Sequence, residues 1–403
     1  MDKFSNHVKN ILHGFFLAIG TTIAEPSTIL PIIVNYFGGS SMLVGFFAAL
    51  LRGGAVAVQL FAAFHAQTYQ LMMPYLRRIF LIRFSSWFFI GIAIILFGDN
   101  YPNLTLVSIG FGLFMFSFSA GFAAIYFREI MAKIFSHKFR GKTMAYRQFF
   151  SAVGGLVSGA LAGWVLHAYE EPFSYGLLFV ISSFLMGFGY LAFSLVEEPI
   201  KEDVSKKEKS YKEFLYNSFN LLRADKALQT QIITFLLSYG YLIALPFIVL
   251  DAQIKINLDG IAIGSLITTQ MIGAMISNFL WGKLSSIGKN KLVTKIAILF
   301  QIIAISLAWQ SSSLYEYMAV FFLVGASIDG NRIASSNLIL KLAPAQKRPI
   351  YIALQMNLVS LGMFFSILGG VILHFLSYNI LYSSAIITLI FAFMFAFRLR
   401  EDI

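Results

Sequence analysis

Apolar runs too long for a β-strand recur along the chain at 11–34, 42–66, 78–98, 104–127, 144–167, 174–195, 228–250, 260–284, 292–309, 315–339, 349–374 and 379–397. In hydrocarbon a spanning segment must pair its own backbone N–H and C=O groups, so each run of about 20 apolar residues reads as a transmembrane helix. The expected fold class is therefore an all-α integral membrane protein with twelve transmembrane helices. Twelve such helices need about 240 positions, and 58% of the 403 residues are hydrophobic, which matches. With 12% charged residues and a mean hydropathy of +0.76, soluble globular classes and disorder are excluded. The chain has no Cys, which removes disulfide frameworks, thiolate metal sites and cysteine nucleophiles. The first run holds Glu25-Pro26 in its interior and lacks the short core and cleavage site of a signal peptide, so it is expected to be retained.

Charge fixes the expected orientation, because Lys and Arg collect in short cytoplasmic loops. One alternating set of connections, with both termini, holds Lys3, Lys9, Arg77, Arg78, Arg83, Lys133, Lys138, Arg140, Lys142, the linker lysines, Lys283, Lys289, Lys291, Lys347, Arg348, Arg398 and Arg400. The other set holds Lys255 with Asp99, Glu170, Glu171, Asp251, Asp259 and Glu316. Both termini are thus expected in the cytoplasm, in a plasma (inner) membrane. Inner loops facing anionic lipid account for the net charge of +11 without a nucleic-acid partner.

The longest polar stretch separates six spans from six. It divides the chain into an N-terminal bundle (1–196), a linker (197–226) and a C-terminal bundle (227–403). Tyr211, Phe214, Leu215, Phe219 and Leu222 have near-helical spacing in the linker, as expected of an amphipathic helix lying on the membrane surface. Spans 2 and 8 align without gaps from Gly45 and Gly264, superposing Gly54 on Gly273, Ala55 on Ala274 and Gln59 on Asn278. Lys133-x6-Arg140 after span 4 matches Lys341-x6-Arg348 after span 10. These matches at corresponding points argue for duplication.

With these features, the chain resembles the major facilitator superfamily of secondary transporters. Residues 281–291, WGKLSSIGKNK, look like a degenerate copy of that family's Gly/Asp/Arg/Gly/Arg loop, with Ser285-Ser286 in place of the Asp-Arg pair. The equivalent first-half loop retains little beyond Arg77-Arg78. In span 5, Gly155-x3-Gly159-x3-Gly163 resembles the antiporter helix motif without its proline, and close helix packing explains it as well. The resemblance implies two pseudo-symmetric six-helix bundles, a central solute cavity lined by helices 1, 4, 7 and 10, and alternating access.

A charge in hydrocarbon must be paired or line a wet cavity, so buried ionisable groups are the most informative residues. Glu25 in span 1 and Arg52 in span 2 lie about equally far from the turn near Gly38, so an ion pair is feasible. Glu25 is either a protonatable coupling group or half of a static pair. Thr21, Thr22, Glu25 and Thr28 form one polar stripe, and Pro26 frees a backbone carbonyl beside it. Span 10 carries Asp329, Arg332 and Ser336 at i, i+3 and i+7, with Asn331, Ser335 and Asn337 beside them. Asp329 and Arg332 either neutralise each other or serve a solute and a proton or cation. Span 7 offers Gln231, Thr234, Ser238 and Tyr241, and span 4 offers Ser117, Ser119 and Tyr126. Arg147, Gln148 and Ser151 begin span 5, where capping or anchoring is the simpler role, as it is for Gln355 and Asn357.

The candidate solute-binding set is thus Thr21, Glu25, Thr28, Gln231, Thr234, Ser238, Tyr241, Asp329, Arg332 and Ser336. The candidate ion-coupling set is Glu25, Arg52 and Asp329. No catalytic residue, metal site or cofactor is expected. Arg140-Gly141-Lys142-Thr143 ends like a phosphate loop, but Ser136 stands where its first Gly is required. The expected function is secondary active transport of a small solute, coupled to a proton or cation, by a monomer in contact with membrane lipids. A transport-inactive scaffold or sensor and a lipid-modifying membrane enzyme are the alternatives. For the enzyme, His137 with Glu129 is the nearest His–carboxylate combination and reads as solvated charge.

Overall fold

The computed structural model describes residues 3–23, 25, 27–66, 69–200, 220–344 and 348–400. Span 1 comprises α1 (Lys3–Ile23) and α2 (Ile29–Tyr36), followed by α3 (Ser41–Ala66), α4 (Met73–Phe97), α5 (Pro102–Ile134), α6 (His137–Ala168) and α7 (Phe173–Ser194) as spans 2 to 6. Span 7 comprises α8 (Lys226–Ser238) and α9 (Leu245–Lys255), joined by a 3₁₀ segment at Tyr239–Ile243. Spans 8 to 10 are α10 (Gly260–Ser286), α11 (Asn290–Gln310) and α12 (Leu314–Leu342). Span 11 comprises α13 (Arg348–Ser360) and α14 (Phe365–Phe375), with 3₁₀ geometry at Leu361–Phe364, and α15 (Tyr378–Ala396) is span 12. Most of the linker expected to hold an amphipathic helix lies outside the described residues, as does Pro26.

Among the described residues, nine helical segments are long and apolar enough to cross a membrane, and they correspond to spans 3 to 9, 11 and 12. Spans 1, 2 and 10 are missing from that set. They are the spans that carry Glu25, Arg52 and the pair Asp329 and Arg332. Span 2 contributes a shorter apolar stretch, Ser41–Val56.

Contacts divide the chain into two compact units. The first holds Met1–Ser40, Leu50–Lys207 and Leu258–Thr268, and the second holds Ser41–Ala49, Glu208–Asn257 and Thr269–Ile403. Within the first, α1 packs on α6 and α7, and α4 packs on α5 and α7. Within the second, α8 packs on α13 and α15, and α11 packs on α12 and α15. In span numbers the pairs 1·5, 1·6, 3·4 and 3·6 recur as 7·11, 7·12, 9·10 and 9·12, which is the same bundle built twice. The aligned glycines both permit close approach of a neighbouring helix, since a Cβ on Gly54 would collide with Ser117 of span 4 and one on Gly273 with the Phe322 backbone of span 10. Span 5 packs tightly as its small residues required, with Gly159 and Gly163 against Gly264.

Each unit buries a tryptophan whose indole N–H is satisfied, as a dry interior demands. Trp87 donates to Ser182 Oγ at 3.0 Å, and Trp281 to the Ala326 carbonyl at 2.8 Å.

Candidate functional site

Span 1 does not run as one helix. Helical geometry stops at Ile23 and resumes at Ile29, and the break is bridged by turns from Glu25 N to Thr22 O (3.1 Å) and from Thr28 N to Glu25 O (3.2 Å). The expected single stripe of Thr21, Thr22, Glu25 and Thr28 is therefore corrected. Thr21 and Thr22 belong to α1, whereas Glu25 and Thr28 lie in the interruption. Thr21 turns its hydroxyl back to the Leu17 carbonyl at 2.8 Å, the usual fate of a helical threonine in an apolar medium. Thr28 is completely buried, and its Oγ1 has no partner among the described residues.

Glu25 and Arg52 meet as their depths allowed. Arg52 Nη2 donates to Glu25 Oε1 at 2.9 Å, and Ser27 Oγ donates to the same oxygen at 3.0 Å. Both charged side chains are 19% exposed, so the pair is held in a partly desolvated place. Arg52 Nη1 is buried without a partner among the described residues. A guanidinium donor left unmet in low dielectric costs a few kcal/mol, so the site retains capacity for an acceptor.

In the second unit, Arg332 Nη2 donates to Asp329 Oδ1 at 2.8 Å, and Asn278 Nδ2 of span 8 donates to Asp329 Oδ2 at 2.7 Å. Asp329 is 13% exposed and Arg332 is 59% exposed, so the arginine reaches open space while the carboxylate stays in. Asn331 Oδ1, beside them, is buried without a partner among the described residues. The repeat aligns Asn278 with Gln59, but nothing in the spacing points to its bond with Asp329.

The remaining candidates separate into webs and back-bonded hydroxyls. Gln231 Nε2 donates to Gln355 Oε1 at 2.6 Å, and Gln355 Nε2 donates to Ser335 Oγ at 2.7 Å, tying spans 7, 11 and 10 through buried amides. Thr234, Ser238 and Ser336 donate to their own helices at Thr230 O, Phe235 O and Arg332 O. Thr234 and Ser238 are buried, whereas Ser336 is exposed. Tyr241 is buried in the 3₁₀ interruption of span 7. Spans 1 and 7 occupy equivalent places in the repeat, and both are broken. In span 7 the interruption is a hydrogen-bonded 3₁₀ segment, with the Ala244 N–H donating to the Tyr241 carbonyl at 3.2 Å.

Two clusters escape a reading of the sequence. Arg147 Nη1 lies 2.7 Å from His13 Nδ1 and 3.1 Å from the Asn10 carbonyl that it donates to, with its guanidinium 4.8 Å from the Phe127 ring centre. Arg147 donates, so His13 accepts at Nδ1 and keeps its proton on Nε2. The second cluster centres on Glu198, which follows span 6. Its carboxylate accepts the Met72 and Met73 amides at the start of α4 (2.9 and 2.7 Å) and pairs with Lys133 at 2.6 Å.

The chain matches the family model described as Major Facilitator Superfamily over residues 11–255 and 230–402. Among solved structures, it is similar to the nucleoside transporter NupG, with 12% identity, 98% of each chain covered and a TM-score of 0.75. It is also similar to a D-xylose–proton symporter (12% identity, 99% of this chain and 97% of that one, TM-score 0.69). A bacterial homologue of the iron transporter ferroportin matches at 12% identity, 99% coverage of both chains and a TM-score of 0.70. No curated protein matches it by sequence.

Proposed function

Because this chain belongs to the major facilitator superfamily and is a membrane transporter rather than an enzyme, we propose that it is a secondary active carrier. It moves a small solute by alternating access, with proton coupling through Glu25 and Asp329. The observation that carries this reading is the interrupted first span, where a carboxylate paired to Arg52 lies beside an unpartnered guanidinium nitrogen and the unpartnered hydroxyl of Thr28. Such an arrangement is expensive in a static apolar core and becomes reasonable when solute or water periodically completes it.

Protonation of Glu25 would weaken its hold on Arg52 and so change the relative stability of the two openings. A ligand drives the cycle only through different affinities for those openings. Asp329 is suited to the same role, since Asn278 can still donate to it when Arg332 swings away. Gln231, Tyr241 and Arg332 then contribute contacts to the solute, with Arg332 supplying the mobile positive charge. The basic loops and both termini face the cytoplasm in this reading, by the positive-inside rule.

The solutes named for the similar structures include nucleosides, a sugar and iron, so the fold does not choose among them. The test is flux in proteoliposomes under an imposed pH gradient, with a solute library read out by uptake and by thermal shift. Glu25→Gln or Asp329→Asn should retain solute exchange and lose at least tenfold of gradient-driven accumulation. Accumulation that ignores the gradient in the unmodified protein would contradict the coupling.

A further inference from the structure

The two halves of the repeat end their fourth and tenth spans with matching lysines, but among the described residues only the first has a counter-ion. In the first half Lys133 donates to the Gln70 carbonyl in the loop before α4 (2.9 Å) and pairs with Glu198. Glu198 is 2% exposed and also caps the start of α4. The first copy of the motif thus has a carboxylate between a lysine and a helix N-terminus. In the second half, Lys341 reaches the Gly288 carbonyl in the loop before α11, at 3.5 Å, and no acidic partner is found for it among the described residues. No side chain among the described residues caps α11.

A cavity of about 550 Å³ lies at this corner, within the second unit. Ser285, Asn290, Asn337 and Lys341 line its polar side, and Ile333 and Leu340 its apolar side. Asn290 is 1% exposed, and its Oδ1 accepts from Ser285 Oγ (2.8 Å) and Asn337 Nδ2 (3.4 Å). That commits its Nδ2 as a donor, which has no protein partner among the described residues. The sequence from Gly282 to Lys291 carries three lysines and no acid. Gly288 turns the chain with φ +82°, which brings this loop against Lys341.

We infer that this cavity binds a phosphate-bearing anion in the place that Glu198 fills in the first half. The chemistry is specific. An ammonium and an amide N–H₂ line one space at the start of α11, with no carboxylate among its described lining residues. The volume is in the range of a whole ligand rather than of a single carboxylate. The apolar wall and the position at the lysine-rich helix ends favour the phosphodiester headgroup of an anionic lipid. Free phosphate is the other source of the same group. The site stands independently of the transport reading.

Native mass spectrometry of the detergent-purified full chain provides the test, with phosphatidylglycerol, phosphatidylcholine and inorganic phosphate titrated in turn. The expected result is preferential retention of phosphatidylglycerol, weakened about fivefold by Lys341→Gln and much less by Lys283→Gln, which does not line the cavity. Asn290→Ala is the second variant, and its thermal midpoint serves as the folding control. Displacement of the lipid by millimolar phosphate would assign the site to the free anion. Equal retention by Lys341→Gln and the unmodified chain would overturn the site.

Discussion

Glu25 and Arg52 lie 27 residues apart and reach each other across two spans, whereas Asp329 and Arg332 share one turn of a single helix. The first pair depends on tertiary structure: separate spans 1 and 2, and each charge is stranded. The second pair survives any rigid motion of span 10, because both members ride on it. Exposure differs in the same sense, with Glu25 and Arg52 equally enclosed and Arg332 largely free beside an enclosed Asp329. Charge pairing at depth is thus used in two ways. The cross-span pair reports helix separation, and the local pair presents a movable cation while keeping its carboxylate in place.

The largest expected effect belongs to the cross-span pair. Arg52→Leu leaves Glu25 without its counter-ion in a partly desolvated site and should destabilise the protein by roughly 3 kcal/mol. Thermal unfolding in detergent measures it. Adding Glu25→Leu should recover most of that loss, because two apolar groups of matching shape replace a pair that is costly to desolvate. Failure of the double variant to recover would mean that the arginine matters through some other contact.

A helix cap outside the membrane calibrates that scale. Asp225 accepts the Ala227 and Leu228 amides at 2.9 and 3.0 Å and the Tyr351 hydroxyl at 2.6 Å. Burial pushes its pKa up, but the Tyr351 hydrogen bond, the two amides and the nearby Arg400 outweigh it and hold the carboxyl below its usual range. Asp225→Ala should cost about 1 kcal/mol, as a lost N-cap does. With its folded-state pKa depressed, the carboxylate's contribution is complete above the unfolded value near 3.9 and fades as pH falls through the lower folded value. The gap between the variant and the unmodified protein should therefore be constant near neutrality and shrink below about pH 4.

The local pair should show the smallest effect on stability. Arg332→Gln removes an exposed partner, and the Asn278 bond still holds Asp329, so a change under about 1 kcal/mol is expected. Solute affinity should fall more than stability does. An Arg332→Gln protein as unstable as Arg52→Leu would erase the distinction between the two pairs.

Much of this contrast is readable from sequence. Counting residues from the turn at Gly38 places Glu25 and Arg52 at one depth, and i, i+3 spacing places Asp329 beside Arg332, because helical rise and periodicity are fixed by geometry. Hydroxyls are less legible. Thr21, Thr234, Ser238 and Ser336 have the pattern of solute contacts, but a helical Ser or Thr always has its own upstream carbonyl within reach, and all four take one. Partners far apart in sequence are hidden altogether. Glu198 sits 65 residues from Lys133, and His13 lies 134 residues from Arg147, separations that no local pattern encodes. The break in span 1 is signalled by Glu25-Pro26, but its extent through Thr28 requires the structure.

The chain has no cysteine, so single-cysteine variants carry no background thiol. Thr28→Cys and Asp329→Cys, in right-side-out and inverted vesicles, can be challenged with a membrane-impermeant thiol reagent with and without solute. An alternating carrier predicts that each position is labelled from both faces, with solute shifting the balance between them. Labelling of both positions from one face only, whatever the solute, would contradict alternating access.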